Sequence, residues 1–350
     1  MWQVYGQDHL LRQLEPALKL GRLAHAYLMV GPPHVGKMSL ALALAQGVNC
    51  LAGPGAPCGA CVQCRRIARG QHADVRIIGV GRGTEPRPGR EGGPARTVIG
   101  IDDVREVQRQ TSLKPYEGAC IVIIFDGAEA MSQEAANALL KTLEEPPPQV
   151  LLLLLTANED ALLPTIRSRC RTLTLLPAAK AQVVERLTAE LRLGGGEHQA
   201  DAAQAERLAR LSRGCLGWAL AALADPARLE QHDAELDQVR QTCQAGLEGR
   251  FSYAAELAAR FPRDRDSVRE SLYLWLRWWR DLLLVKEGAE TYVQDPEQLT
   301  HLRLQAAQLT TGQVVGAIKA LLQTLEALER NAGPRLALEA LMLRLPALTG

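Results

Sequence analysis

No apolar stretch in this chain approaches the roughly 20 residues that a membrane-spanning helix needs. No charge of one sign dominates either. Forty Lys and Arg stand against 39 Asp and Glu, for a net charge of +1. That balance argues against a polybasic nucleic-acid or membrane surface and leaves room only for a local basic patch. The opening residues, Met1-Trp2-Gln3-Val4-Tyr5-Gly6-Gln7, lack the basic-then-apolar pattern of a secretory signal. A soluble, cytoplasmic protein is the expectation. What is present in quantity is length, 350 residues, enough for two or three domains with a proper core. Of the eight cysteines, four crowd into residues 50–64 and four are scattered, a distribution suited to reduced thiols plus one metal site.

The hydrophobic pattern alternates between strands and helices. Asp8 to Gly21 carries Leu10, Leu11, Leu14, Ala17 and Leu18 on a helical face ended by glycine. Apolar runs at Ala26–Val30, Asp74–Val80, Cys120–Phe125 and Val150–Leu155, with a short one at Thr172–Leu175, read as strands. Between them, Ile101–Ser112 reads as a helix, and so does a segment capped by Ser132 and stopped by Pro146-Pro147-Pro148. Gly81 to Arg96, rich in Gly, Pro and Arg, reads as a flexible loop, and Gly194-Gly195-Gly196 as a turn. Apolar strands alternating with helices predict an α/β fold with a parallel sheet covered on both faces. After Pro177 the pattern is helical throughout. The expected division is one α/β domain over 1–176, a small helical domain over 177–224 and a larger all-α domain over 225–350, without internal repeats.

Three motifs carry chemistry. The first is Gly31-Pro32-Pro33-His34-Val35-Gly36-Lys37-Met38-Ser39, between the Ala26–Val30 strand and a helix beginning near Leu40. Strand, glycine-rich turn, Lys and helix form the context of a P-loop, in which backbone N–H groups and the helix N-terminus attract phosphate and Lys37 meets the outer phosphates. Gly31, Gly36, Lys37 and Ser39 are therefore candidate nucleotide contacts. One position departs from the pattern. Met38 stands where a hydroxyl would ligate Mg²⁺, and a thioether is a poor ligand for that hard cation.

The second motif is the end of the Cys120–Phe125 strand. Asp126 sits where a P-loop ATPase keeps its Mg²⁺-side carboxylate, but the next residue, where a water-orienting acid belongs, is Gly127. Glu129 follows two residues later and is expected to point elsewhere. The third motif is Cys50 with Cys58-x₂-Cys61-x₂-Cys64. Four thiolates within 15 residues suit tetrahedral Zn²⁺ in a closed, structural site. An iron–sulfur cluster is the competing reading, but it wants a further Cys three residues on, followed by Pro, and that is absent. Trp275, Trp278 and Trp279 at helical spacing read as a packed core face rather than a base-stacking platform. His25 and His34 have no carboxylate at ligand spacing and read as structural.

Taken together these residues resemble the bacterial clamp-loader subunits of the AAA+ family. The resemblance runs from residue 6 to about 345. It is carried by Gly6-Gln7-Asp8-His9-Leu10, by Gly21-Arg22-Leu23-Ala24-His25-Ala26-Tyr27-Leu28 and by the four-Cys module. Asn137-Ala138-Leu139-Leu140-Lys141-Thr142-Leu143-Glu144-Glu145-Pro146-Pro147 and Leu163-Pro164-Thr165-Ile166-Arg167-Ser168-Arg169-Cys170 match most specifically, and Pro334-Arg335-Leu336-Ala337-Leu338-Glu339 matches near the end. The resemblance implies a RecA-like domain, a helical lid and a C-terminal collar that joins a ring of five subunits. Motor (gamma/tau) and delta subunits would be the ring partners. The ring opens a sliding clamp and places it on primed DNA.

Where the hydrolysing members of that family carry Thr or Ser, Glu, a polar sensor and a lid arginine, this chain has Met38, Gly127, Ala157 and Gly217. Thr156 and Asn158 flank the sensor position. Arg169, which matches the family's arginine finger, is retained. The resemblance thus implies a largely non-hydrolysing subunit whose Arg169 acts in trans on a neighbour's nucleotide, with ATP or ADP held weakly in its own pocket. The alternative is an active ATPase of the motor type in which Ser39 or Glu129 compensates.

Overall fold

The computed structural model describes residues 2, 4–79, 98–193, 198–330 and 332–348. The glycine-rich stretches expected at 81–96 and at 194–196 lie outside them. Two compact units result, one of Met1–Ala205 with Ser212–Leu220, the other of Glu206–Leu211 with Ala221–Gly350.

The first unit is built on α1 (Asp8–Lys19), β1 (Ala26–Val30), α2 (Lys37–Val48), α3 (Val62–Ala68), β2 (Val75–Gly79), α4 (Ile101–Thr111), β3 (Ile121–Asp126), α5 (Gln133–Glu144), β4 (Val150–Thr156), α6 (Pro164–Arg167), β5 (Arg171–Thr174) and α7 (Lys180–Leu193). Five strands form one sheet in the order β2-β3-β4-β1-β5, every neighbouring pair parallel. All seven residues of β4 are buried, as a central strand covered on both faces requires. Its alternate side chains feed two cores. Leu151, Leu153 and Leu155 join Tyr27 and Met29 against Leu40 and Leu44 of α2 and Leu10 and Leu14 of α1. Leu152 and Leu154 join Ile123 and Phe125 against Val104 and Val107 of α4 and Leu139 and Leu143 of α5. The α/β architecture is the expected one.

Local chemistry fixes where these helices begin and end. Ser132 caps α5 by accepting the Ala135 N–H at 3.1 Å, and the three prolines after Glu145 stop it. Pro164 opens α6, where its missing N–H costs nothing.

Helices α8 (His198–Ser212) and α9 (Leu216–Ala224) contribute residues to both units. The second unit otherwise comprises α10 (Ala227–Gln244), α11 (Leu247–Arg260), α12 (Arg265–Lys286), α13 (Leu299–Gln308), α14 (Thr311–Glu329) and α15 (Pro334–Arg344). Trp275 and Trp279 are completely buried in its core, and Trp278 nearly so, with its indole N–H on Gln305 Oε1 at 3.2 Å. The tryptophans are core, as their spacing predicts. Among the described residues no helix is long and apolar enough to cross a membrane.

Candidate functional site

The P-loop leaves the C-terminal end of β1 and turns into α2. Gly36 caps that helix with φ 106°, a conformation that L side chains rarely adopt. In register, Val30 pairs with Thr156 of β4, and Asp126 of β3 pairs with Leu155. Gly31, Gly36, Lys37 and Asp126 therefore gather at one edge of the sheet, the carboxyl edge where open α/β sheets bind ligands.

The loop is closed on itself. Lys37 Nζ donates to the carbonyls of Gly31 at 2.6 Å and Pro32 at 2.9 Å. Burial holds its pKa below the usual lysine range, opposed by the carboxylates of Glu129 and then Asp126. Met38 packs against the apolar core and Ser39 is exposed. From the other side, the Gly217 N–H, in the first turn of α9, donates to the His34 carbonyl at 3.0 Å. A Cβ on residue 217 would lie 2.8 Å from that oxygen, so this approach requires glycine. Next to it, Val4, Tyr5, Gly6, Gln182, Arg186 and Leu216 line a cavity of about 350 Å³, with the Arg186 guanidinium 4.8 Å from the centre of the Tyr5 ring.

Glu129 does not point away from the site, contrary to expectation. Gly127 takes a left-handed φ of 77°, and the 3₁₀ turn Ala128–Ala130 that follows swings the side chain back. Glu129 Oε1 accepts the Ala157 N–H at 3.2 Å, and its charge bears on Lys37. Thr156 is engaged locally, donating to Asn158 O at 2.9 Å and accepting the Asn158 N–H at 3.0 Å.

Arg169 lies elsewhere. It follows α6, with its N–H on Ile166 O at 3.1 Å, just before β5 begins at Arg171. Because Arg171 pairs with Tyr27 and Thr174 with Val30, it stands at the amino edge of the sheet. About 10 Å of strand, three residue rises, separates that edge from the start of the P-loop. The structure thus gathers the P-loop residues and Asp126, and sets Arg169 apart from them.

The four cysteines do converge. Their sulfur atoms all lie within 4.8 Å of one another. Four thiolates about 2.3 Å from a tetrahedral metal stand about 3.8 Å apart, and Cys58 Sγ and Cys64 Sγ are separated by 3.9 Å. Backbone amides point at the sulfurs: Cys58 N–H to Cys50 at 3.5 Å, Cys61 N–H to Cys58 at 3.3 Å and Cys64 N–H to Cys61 at 3.4 Å. Burial works against ionisation of Cys61, yet the amides of Cys64 and Leu51 bring its pKa down to about 6. Burial pushes Cys64 up to about 12. The donor set fits a closed, sulfur-ligated metal site. The module is tied down by Gln46 Nε2 donating to Cys64 O at 2.9 Å and Gln63 Nε2 donating to Glu117 O at 2.7 Å.

A family model described as DNA polymerase III, delta subunit, matches residues 6–179. The DNA polymerase III delta-prime subunit of Bacillus subtilis strain 168 is 26% identical over 345 residues, which cover 97% of this chain and 96% of that relative. The chain belongs to the DNA polymerase III clamp-loader family. The tau subunit of Escherichia coli K12, another member, is 38% identical over 227 residues. That match covers 64% of this chain but only 32% of tau. Among solved structures, a DNA polymerase III gamma subunit-related protein from Thermotoga maritima aligns over 95% of this chain and 97% of its own, at 19% identity and a TM-score of 0.40.

For a clamp-loader chain, two features of the site escaped the sequence. One is the turn of Glu129 toward Lys37, for which Gly127 was the only available signal. The other is the partner of Arg169. Its Nη2 pairs with Glu144 Oε1 at 2.8 Å, across 25 residues of sequence, and no local pattern announces that ion pair.

Proposed function

We propose that this chain is a delta-prime-type subunit of a DNA polymerase III clamp loader. It turns over little or no ATP itself, helps assemble the ring and presents Arg169 to the nucleotide of a neighbouring motor subunit. The observation that carries the reading is the separation of the two halves of the chemistry. The chain's own P-loop is shut by Lys37 and Gly217 at the carboxyl edge of the sheet, while Arg169 sits half-buried at the opposite edge. A finger at that edge has no access to its own pocket and every access to another chain's.

In this role the guanidinium supplies fixed positive charge to a loosely bonded phosphoryl transition state without reorganising. Residues 177–224 serve as the lid and 225–350 as the collar. Leu336, Ala340 and Leu343 form an exposed apolar stripe on α15 at i, i+4 and i+7, the spacing of a helix face that another helix covers. Cys50, Cys58, Cys61 and Cys64 hold one structural Zn²⁺. Nucleotide, ATP or ADP, is bound weakly at most. The partners are gamma/tau and delta subunits in a five-membered ring, and through it the sliding clamp and primed DNA.

One observation favours a second reading, the active ATPase. Glu129 is turned toward Lys37 and fixed by the Ala157 N–H, as a substitute acid would be. The two readings part on reconstitution with motor and delta subunits. On the first, Arg169→Ala leaves the chain folded and assembled and slows hydrolysis at one neighbouring site by about 10³–10⁵. Clamp loading falls with it, while Arg167→Ala and Arg171→Ala do much less. Unchanged single-site hydrolysis and loading in Arg169→Ala would refute it. An isolated chain turning over at roughly 1 s⁻¹ or above would establish the second.

A further inference from the structure

We infer that Glu144 is the positioning residue of Arg169: it holds the guanidinium in the orientation from which it meets a phosphate on the neighbouring chain. The inference rests on the trans role proposed above. Glu144 is the last residue of α5, before the prolines that stop the helix. A carboxylate at a helix C-terminus is opposed by the helix dipole, so this acid is badly placed for the helix that bears it. Its compensation is Arg169, whose Nη2 forms an ion pair with Glu144 Oε1 at 2.8 Å. The other side of the guanidinium is held by its own turn, Nη1 donating to Thr165 O at 3.0 Å and to Ser168 Oγ at 3.3 Å.

Both supports are anchored in the same core. Leu143, beside Glu144, and Ile166, whose carbonyl takes the Arg169 N–H, belong to one buried cluster beneath the sheet. The side chains themselves reach the surface, 35% exposed for Arg169 and 51% for Glu144. A guanidinium carries five N–H donors. Nη1 spends its two donors on Thr165 and Ser168 and Nη2 faces Glu144 as an ion pair, which leaves Nε without a hydrogen-bond partner among the described residues, so a phosphate is met without expelling Glu144. Arginine loses much rotamer freedom on docking, and a group that removes that freedom beforehand raises the rate at the site it faces. Arg167 differs. Its Nη1 pairs with Asp160 at 2.8 Å, in the connection that leads into its own helix.

Glu144→Lys is the decisive substitution. It repels the guanidinium, yet a cation suits a helix C-terminus and the site is half exposed, so fold and melting temperature should hold or improve. Glu144→Gln keeps an acceptor oxygen and should keep most of the function. In the complex reconstituted with motor and delta subunits, single-turnover hydrolysis at the neighbouring site should fall on the order of 10–100-fold in Glu144→Lys, as for a misplaced catalytic group. Glu144→Gln should stay within a few-fold of the unsubstituted chain on that scale. In an Arg169→Ala background, Glu144→Lys should cost nothing more. Full hydrolysis in Glu144→Lys overturns the inference, and so does a loss that persists without Arg169. If Arg169→Ala slows hydrolysis and Glu144→Lys does not, only the positioning role falls. If Arg169→Ala itself has no effect, the trans role and this inference fall together.

Discussion

The backbone N–H of Gly217 and the carbonyl of His34 are joined by a hydrogen bond of 3.0 Å, which closes the first turn of α9 onto the P-loop. His34 meets it with φ 61°, uncommon for a residue with a side chain. Gly217→Ala forces a methyl to 2.8 Å from a backbone oxygen. Overpacking of this kind costs about 1–3 kcal/mol. Urea unfolding should show that loss. Stability equal to that of the unsubstituted chain would mean that the contact does not persist in solution.

Met38→Thr supplies the missing Mg²⁺ hydroxyl and should still yield no ATPase. Gly127 carries no carboxylate, Lys37 remains bonded to its own loop, and Gly217 brings no cation. Phosphate release by the purified single variant at roughly 1 s⁻¹ or more would contradict this.

One zinc ion per chain is expected from elemental analysis after purification without chelators. Iron, or no metal, would overturn the assignment. Cys61→Ser should release the metal and loosen residues 50–68 while the sheet stays folded. The turn that leads into β3 has supports independent of the thiols. Asp74 accepts the amides of Tyr116, Glu117 and Gly118 at 2.7–2.8 Å, and Asn49 Oδ1 accepts those of Ala119 and Cys120 at 2.8 and 2.9 Å. Far-ultraviolet circular dichroism against metal content would separate the two effects.

Arg250 is buried with no carboxylate partner among the described residues, and its guanidinium spends itself on carbonyls. Nε donates to Ala245 O, Nη1 to Met342 O and Leu345 O, and Nη2 to Cys243 O and Pro346 O. These are the orphan acceptors at the ends of α10 and α15, where positive charge also suits the helix dipoles. Arg250→Met strands several of them, each worth about 1–3 kcal/mol, so a loss of at least about 3 kcal/mol is expected in denaturant unfolding. Arg250→Lys should recover only part, because one ammonium cannot span five acceptors.

His232 sets a pH dependence. Burial, reinforced by Arg277, lowers its pKa from 6.5 to about 4. Between those values the unfolded chain binds a proton that the folded chain refuses, so stability falls as pH drops through that window. The full loss is roughly 3 kcal/mol by pH 4, and nothing is lost above pH 7. His232→Gln should flatten the slope between pH 6.5 and 4 in urea titrations. An unaltered slope would show that another group is responsible.

What was legible in the sequence was periodic or clustered. The uninterrupted leucines of β4, the Gly36-Lys37 turn and the Cys58-x₂-Cys61-x₂-Cys64 spacing each announce their structure locally, because the constraint is satisfied within a dozen residues. The tryptophans of α12 do the same through helical spacing. What could not be read depends on distant partners. Nothing around Arg250 signals that its acceptors come from Cys243 and from residues 342–346. Nothing near Arg169 singles out Glu144 rather than Glu145. Glu129 departs from its expected direction for a different reason. A strand's alternation says where side chains point only until a left-handed residue such as Gly127 resets the direction of the backbone.

The opposed edges of the sheet carry a consequence for counting. With Arg169 acting in trans as proposed, a chain with its pocket on one edge and its finger on the other is directional, so any ring of such chains joins unlike faces head to tail. Each junction is live only if the pocket on one side and the finger on the other both work. A member with a shut pocket and an intact Arg169 makes one silent junction, and one live junction where the neighbour it faces has a working pocket. It gives an otherwise cyclic arrangement a fixed seam, a place where a wave of hydrolysis stops rather than circulates.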